Sequence, residues 1–160
     1  MQLSMRTDYA LRALFTLVEA YGRGPIPIRE LARRNDVPKR FLEHIMLDLK
    51  KQGWVDSRPG KAGGYFLARQ PTEITMGEVV RHFDGYLAPI ACVSVTSYKR
   101  CTQETFCRFR RLFLDVRNHV AHVMDRSSLA AVYAGAPVLD SEVAVADFLG
   151  PFLNLFLDVF

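Results

Sequence analysis

Between Arg6 and Tyr21 the apolar residues Tyr9, Ala10, Ala13, Leu14, Leu17 and Val18 recur every three or four positions, the stripe of an amphipathic helix. Gly22, Gly24, Pro25 and Pro27 end it. A short helix is predicted over Ile28–Arg34, with Leu31 and Ala32 inward, followed by a turn at Asn35, Asp36 and Val37. Pro38 suits the first position of the next helix, where its missing N–H costs nothing. That helix, Pro38–Gln52, is predicted to bury Phe41, Leu42, Ile45, Met46 and Leu49 before Gly53 stops it. Trp54–Ser57 and Tyr65–Ala68 read as strands on either side of a Gly-rich turn, Arg58–Gly64. Helix, short helix, turn, helix, hairpin is the order of a winged helix-turn-helix. The predicted fold is therefore mainly α with a small β-hairpin wing.

One more helix is predicted over Thr75–Phe83, with Thr75 as cap and Glu78 three residues on, the spacing of a capping box. Asp84–Thr102 has no sustained period and reads as a loop. Beyond it, Phe109, Leu112, Phe113, Val116, Val120, Val123 and Met124 form one long apolar stripe, predicting a helix of roughly 24 residues and about 36 Å. So small a domain cannot cover that stripe alone, and dimerisation is its natural use. The division that follows is a DNA-binding unit over 1–84, a cysteine-bearing loop over 85–108, a dimerisation helix over 109–127 and an acidic, Phe/Leu-rich tail over 128–160. In the tail Phe148, Phe152, Phe156 and Phe160 repeat every four residues beside Leu149, Leu153 and Leu157. The tail either packs on its own dimer or docks a partner or membrane surface, and its lack of basic residues argues against anionic lipid.

With 160 residues, 49% hydrophobic and 24% charged, the chain suits one or two small domains with a real core, and a large multidomain enzyme is excluded. The formal charge is +4, but residues 129–160 carry Asp140, Glu142, Asp147 and Asp158 with no Lys or Arg, which leaves +8 on residues 1–128. A basic body with an acidic tail favours a polyanionic partner or a set of solvated faces. The charge-free runs, Gly85–Tyr98 and Ser127–Leu139, are too short to span a membrane. The opening residues are charged where an export signal is apolar, so a cytoplasmic location without membrane attachment is expected.

The second helix of a helix-turn-helix presents its leading turns to base edges, and a wing can reach the neighbouring groove. Those turns carry Lys39, Arg40, Glu43 and His44, and the hairpin carries Arg58 and Lys61. Arg40 suits a bidentate bond to guanine, while Glu43 suits cytosine N4 or the orientation of Arg40. Each side chain alone is equally an ordinary solvated residue, but a basic helix followed by a basic Gly-rich hairpin is what double-stranded operator DNA requires.

Cys92, Cys101 and Cys107 are the chain's three cysteines, and all fall within 16 residues with the spacing C-x8-C-x5-C. An odd count disfavours a disulfide framework, and no C-x2-C pair suggests a zinc knuckle. Three thiolates on one loop suit an iron-sulfur cluster, or else are inert or redox-active thiols. His119 and His122 lie too far along the long helix, with 12 residues from Cys107 to His119 covering about 18 Å. Asp8 is a first-turn carboxylate, an i,i+4 partner of Arg12, or a ligand.

The segments Asp8–Leu14, Ile28–Ala32, Phe41–Glu43, Leu49–Gly53 and Gly63–Ala68 resemble the iron-sulfur winged-helix regulators typified by IscR and NsrR, over about residues 1–127. The resemblance implies a dimeric transcriptional regulator in which Cys92, Cys101 and Cys107 hold a 2Fe-2S or 4Fe-4S cluster. In the nitric-oxide-sensing branch an aspartate early in the first helix of the other subunit completes the set, and Asp8 stands there. The iron-sulfur-homeostasis branch uses a histidine where this chain has Arg110, which favours the first branch. The wider first cysteine gap and the wing sequence Ser57-Arg58-Pro59-Gly60 depart from both. The expected protein is a homodimeric repressor that releases DNA when nitric oxide or oxidation degrades its cluster. The rivals are a thiol- or metal-dependent enzyme, for which no Walker loop, HExxH or GxSxG is present, and a cluster-free adaptor acting through the tail.

Overall fold

The computed structural model describes residues 3–85 and 87–143. The first helix, α1 (Met5–Glu19), starts where the Ser4 hydroxyl accepts from the Thr7 N–H at 3.2 Å, a side-chain cap for an otherwise orphaned donor. Its buried stripe is Ala10, Leu11, Ala13, Leu14 and Leu17, and the helix touches nearly every other element of the body. After it, Ile26 pairs with Tyr65 in an isolated antiparallel bridge. Helix α2 (Ile28–Asn35) ends with Asp36 in the left-handed region, φ 51°, which reverses the chain into α3 (Lys39–Lys51). Pro38 stands one position ahead of the expected place, as the residue before α3.

The wing consists of β1 (Val55–Arg58) and β2 (Gly64–Leu67), antiparallel, with Val55 opposite Leu67 and Arg58 opposite Gly64. Strand β1 begins one residue later than predicted because the Trp54 N–H still closes α3 by donating to the Leu49 carbonyl, and β2 begins one residue earlier, at Gly64, which pairs with Arg58. A side chain at Gly64 would bring its Cβ within 2.3 Å of the Ile26 carbonyl, so this position needs glycine for β2 to lie against Ile26. Phe41 departs from expectation. It is 42% exposed and meets the edge of Tyr9 at 5.7 Å, because its face of α3 looks along α1 rather than into the core. Leu42, Ile45, Met46 and Leu49 do fill the core.

Helix α4 (Met76–Asp84) has both halves of the capping box, Thr75 with Glu78. Within the expected loop a 3-10 turn forms at Ala91–Val93. The next helix, α5 (Arg110–Arg126), has 17 residues, about 26 Å. It is shorter than predicted because residues 101–109 are turns and Ser127 is extended, its carbonyl accepting from the Met76 N–H. No residue of α5 is buried within the single chain, and Leu112, Val116 and Val123 are exposed. Past it, α6 (Leu129–Ala134) returns to the winged-helix body: Leu129 is fully buried in the main core, and its N–H donates to the Ile74 carbonyl at 2.9 Å. A last turn, α7 (Asp140–Val143), closes the described chain. The Phe repeat at 148, 152, 156 and 160 lies outside the described residues. Among the described residues no helix is long and apolar enough to cross a membrane.

Candidate DNA-reading face and cysteine cavity

Lys39, Arg40 and His44 are exposed on the leading turns of α3, and Arg58 and Lys61 are exposed on the wing. Ion pairing sorts the basic residues of this body. On α2, Arg33 and Arg34 are both held by Glu30, at 2.8 and 2.7 Å, and these bonds, Arg33 first, pull the Glu30 carboxyl down to about 2. On α3 the Glu43 carboxylate is taken by Lys39 at 3.1 Å, not by Arg40. Arg40, Arg58 and Lys61 have no acidic partner among the described residues. Arg58 instead lies over the Phe66 ring at 5.4 Å, an aromatic rest that holds a guanidinium without neutralising it. Arg40 at the start of α3 and Arg58 and Lys61 on the wing thus keep their positive charge uncompensated, as do Arg23 and Arg29 of the same body.

Sequence reasoning missed what fixes these two parts relative to each other. The Lys50 ammonium, at the end of α3, sits 2.7 Å from Asp56 Oδ1 and donates to Ser57 Oγ at 2.8 Å. The same bond, with the Ser57 N–H second, holds the Asp56 carboxyl below the usual carboxylate range. Two residues earlier on α3, Asp48 pairs with Arg6 and so binds α3 to α1. A surface Lys–Asp pair separated by only six positions carries no distinct signal in sequence, since its geometry depends on where β1 turns back.

The three cysteines line one open cavity of 670 Å³ between the 3-10 turn and residues 99–109. Cys92 is buried in a small second core with Ala88 and Val93, against Phe113 and Leu114. Cys101 is exposed and Cys107 half-buried. Lys99, Arg100 and Arg108 share the lining. Among the described residues no three His, Cys, Asp or Glu side chains converge to hold a metal ion in the single chain. Asp8 is on α1, paired with Arg12 at 2.7 Å, and does not line this cavity. His119 and His122 are exposed on α5, the latter 3.3 Å from Arg126 Nη1.

Beside the cavity is a network not foreseen in these roles. Arg110, the first residue of α5, donates to the Cys92 carbonyl at 3.2 Å and pairs with Glu104. Glu104 accepts from the Tyr98 hydroxyl at 2.7 Å. That bond is the main reason the Glu104 carboxyl lies below its ordinary range and the Tyr98 hydroxyl above its own.

The model of the Rrf2 family, described as an iron-dependent transcriptional regulator, matches residues 3–135. An rrf2-like HTH-type transcriptional regulator of Rhodobacter capsulatus is 41% identical over 120 residues, 71% of this chain and 80% of that one. The HTH-type transcriptional regulator NsrR of Geobacillus kaustophilus is 30% identical over 130 residues, 81% and 88% of the two chains. Among solved structures, CymR, the global cysteine regulator of Bacillus subtilis, superposes with a TM-score of 0.72 at 24% identity, covering 86% of this chain and 99% of that one. Fold and relatives alike are those of winged-helix transcriptional regulators, not enzymes.

Proposed function

Because this chain belongs to the Rrf2 family of iron-dependent transcriptional regulators, we propose that it is a cytoplasmic homodimeric repressor whose hold on operator DNA is set by an iron-sulfur cluster. The observation that carries the proposal is that Cys92, Cys101 and Cys107 all line one cavity, together with Lys99, Arg100 and Arg108. Thiolates are the customary ligands of such clusters, and Lys99, Arg100 and Arg108 offset the negative charge that several thiolates bring together. The residues therefore fit the group in kind. The set is incomplete within one chain, and Asp8 of the second subunit is the proposed fourth ligand, in place of its bond to Arg12.

When bound, the cluster would supply a centre reactive toward oxidants and nitric oxide. The protein's own parts do the rest. Cys92 is anchored in the core next to Phe113, so its thiol is fixed to the root of α5, while Cys101 and Cys107 sit on turns that can be drawn toward it. The exposed seam of Leu112, Val116 and Val123 pairs two copies, and that pairing sets the separation of two α3 helices in successive major grooves. Lys39, Arg40, Glu43 and His44 read or flank the base edges, and Arg58 and Lys61 reach the adjacent backbone or minor groove. CymR, which shares this fold, is a global cysteine regulator.

Anaerobic purification with iron and sulfide counting tests the reading directly. The wild type is expected to be coloured, and each Cys→Ala variant to be depleted of iron. A mixture of Asp8→Ala and Cys107→Ala subunits should retain about one intact cluster per mixed dimer, because a ligand set that crosses the dimer puts both defects in one site. A wild-type monomer at micromolar concentration, or an iron-free wild type with full operator affinity, would defeat the proposal.

A further inference from the structure

We infer that Arg110 is a positioning residue that fastens the cysteine loop to the first turn of α5, its guanidinium joining the Cys92 carbonyl to the Glu104 carboxylate. The inference deepens the cluster reading by naming how the state of the loop reaches the helix proposed for dimerisation. Three separate stretches of the loop end on this one side chain. Cys92 is held through its carbonyl, residue 98 through the Tyr98 hydroxyl on Glu104, and the turn at 101–104 through the Glu104 carboxylate. The turn is closed in addition by the Glu104 N–H donating to the Cys101 carbonyl at 3.2 Å.

The Glu104 side chain is only 15% exposed, and both its oxygens are engaged, one by Arg110 and one by Tyr98. A carboxylate so placed is less well held if either partner leaves, because it is only partly open to solvent. Glu104 therefore serves as an anchor and not as a spare ligand. Arg110 itself opens α5, and three residues on Phe113 packs against Cys92. A movement that draws Cys101 or Cys107 away from Cys92 must stretch the Arg110 bonds or carry the helix start with it. Either outcome is felt at Leu112, where the exposed seam begins. The structure holds the closed arrangement, and loss of the Arg110 bonds would give the second state that a coupling element needs.

The test uses the full chain in two forms. In reduced, cluster-free protein, amide exchange at Phe113 and Leu114 and maleimide labelling of Cys107 are compared among wild type, Arg110→Ala, Arg110→Lys and Glu104→Gln. Arg110→Ala and Glu104→Gln should exchange and label roughly fivefold faster, the size expected from losing one partly exposed ionic tie. Arg110→Lys, which keeps a charge toward Glu104, should fall between, and the melting midpoint of the winged-helix body should not move. In anaerobically loaded protein, Arg110→Ala should retain iron while the ratio of operator affinities, loaded against cluster-free, shrinks by a similar factor. Unchanged exchange at the start of α5 in both the Ala and Gln variants overturns the inference, as does a wild-type affinity ratio in iron-loaded Arg110→Ala. An iron-free wild type defeats the cluster reading alone, since the exchange measurement still decides whether Arg110 is the tie.

Discussion

Leu129→Ala separates a tail that merely follows α5 from one that completes the winged-helix body. The side chain is fully buried against α1 and the segment before α4, and its backbone N–H is bonded to the Ile74 carbonyl. Truncation removes the transfer free energy of three carbons and leaves a void between a helix and a strand-like segment that are both pinned by backbone bonds, so collapse is limited. Buried Leu→Ala changes cost about 2–5 kcal/mol, and a value near 3 kcal/mol is expected at this rigid site. For a body of this size each kcal/mol shifts the melting midpoint by roughly 3–5 °C, which predicts a drop of about 10–15 °C. Thermal and urea melts followed by circular dichroism measure it, at one protein concentration because association shifts apparent stability. Val138→Ala, at a residue 70% exposed, is the control and should stay within about 0.5 kcal/mol of wild type. Leu129→Met, which nearly conserves volume, should cost less than about 1.5 kcal/mol. A loss under about 1 kcal/mol for Leu129→Ala, or one equal to the control, would refute the return of the chain into the core.

The other expectations concern DNA and charge. Arg40→Ala should cost about 1–3 kcal/mol on the operator and relax sequence preference, whereas Lys61→Ala should weaken all DNA alike and lower the salt slope by about 1; anisotropy titrations at several salt concentrations tell them apart, and equal profiles would remove the division of labour. Lys50→Met frees the wing from α3, so operator affinity should fall more than affinity for random DNA, and an equal loss on both would deny Lys50 its role in setting the angle. The Glu30 carboxyl is held down to about 2 by Arg33 and Arg34, against an ordinary value of 4.5. Its depressed folded value means that its contribution to stability is present above pH 4.5 and is lost as pH falls toward about 2; a carboxyl resonance titrating near 4.5 would show the pair to be absent.

Local periodicity alone determined most of this protein's secondary structure and its fold class. The spacing of Leu14 and Leu17, the turn at Asp36, the glycines of the wing and the Thr75–Glu78 cap are all short-range signals, satisfied within a few residues of where they are written. The exposed basic residues of α3 and the wing were legible for the same reason, since a residue on the polar face of an amphipathic helix needs no partner to be placed. Contacts between elements were not legible. That Lys50 reaches Asp56 and Ser57 and that Phe41 stays out of the core depend on how α1, α3 and the hairpin cross, whereas the Lys39–Glu43 pair is an i,i+4 contact within α3. The cysteine spacing placed three thiols on one loop, but only the tertiary structure seated Cys92 against Phe113 and made Arg110 the meeting point of Cys92 and Glu104. Leu129 shows the limit most clearly. Its own neighbourhood in sequence is small, apolar and loop-like, and its burial is decided by Ile74, 55 positions earlier, because a hydrophobic side chain is placed by whatever surface the rest of the chain leaves uncovered.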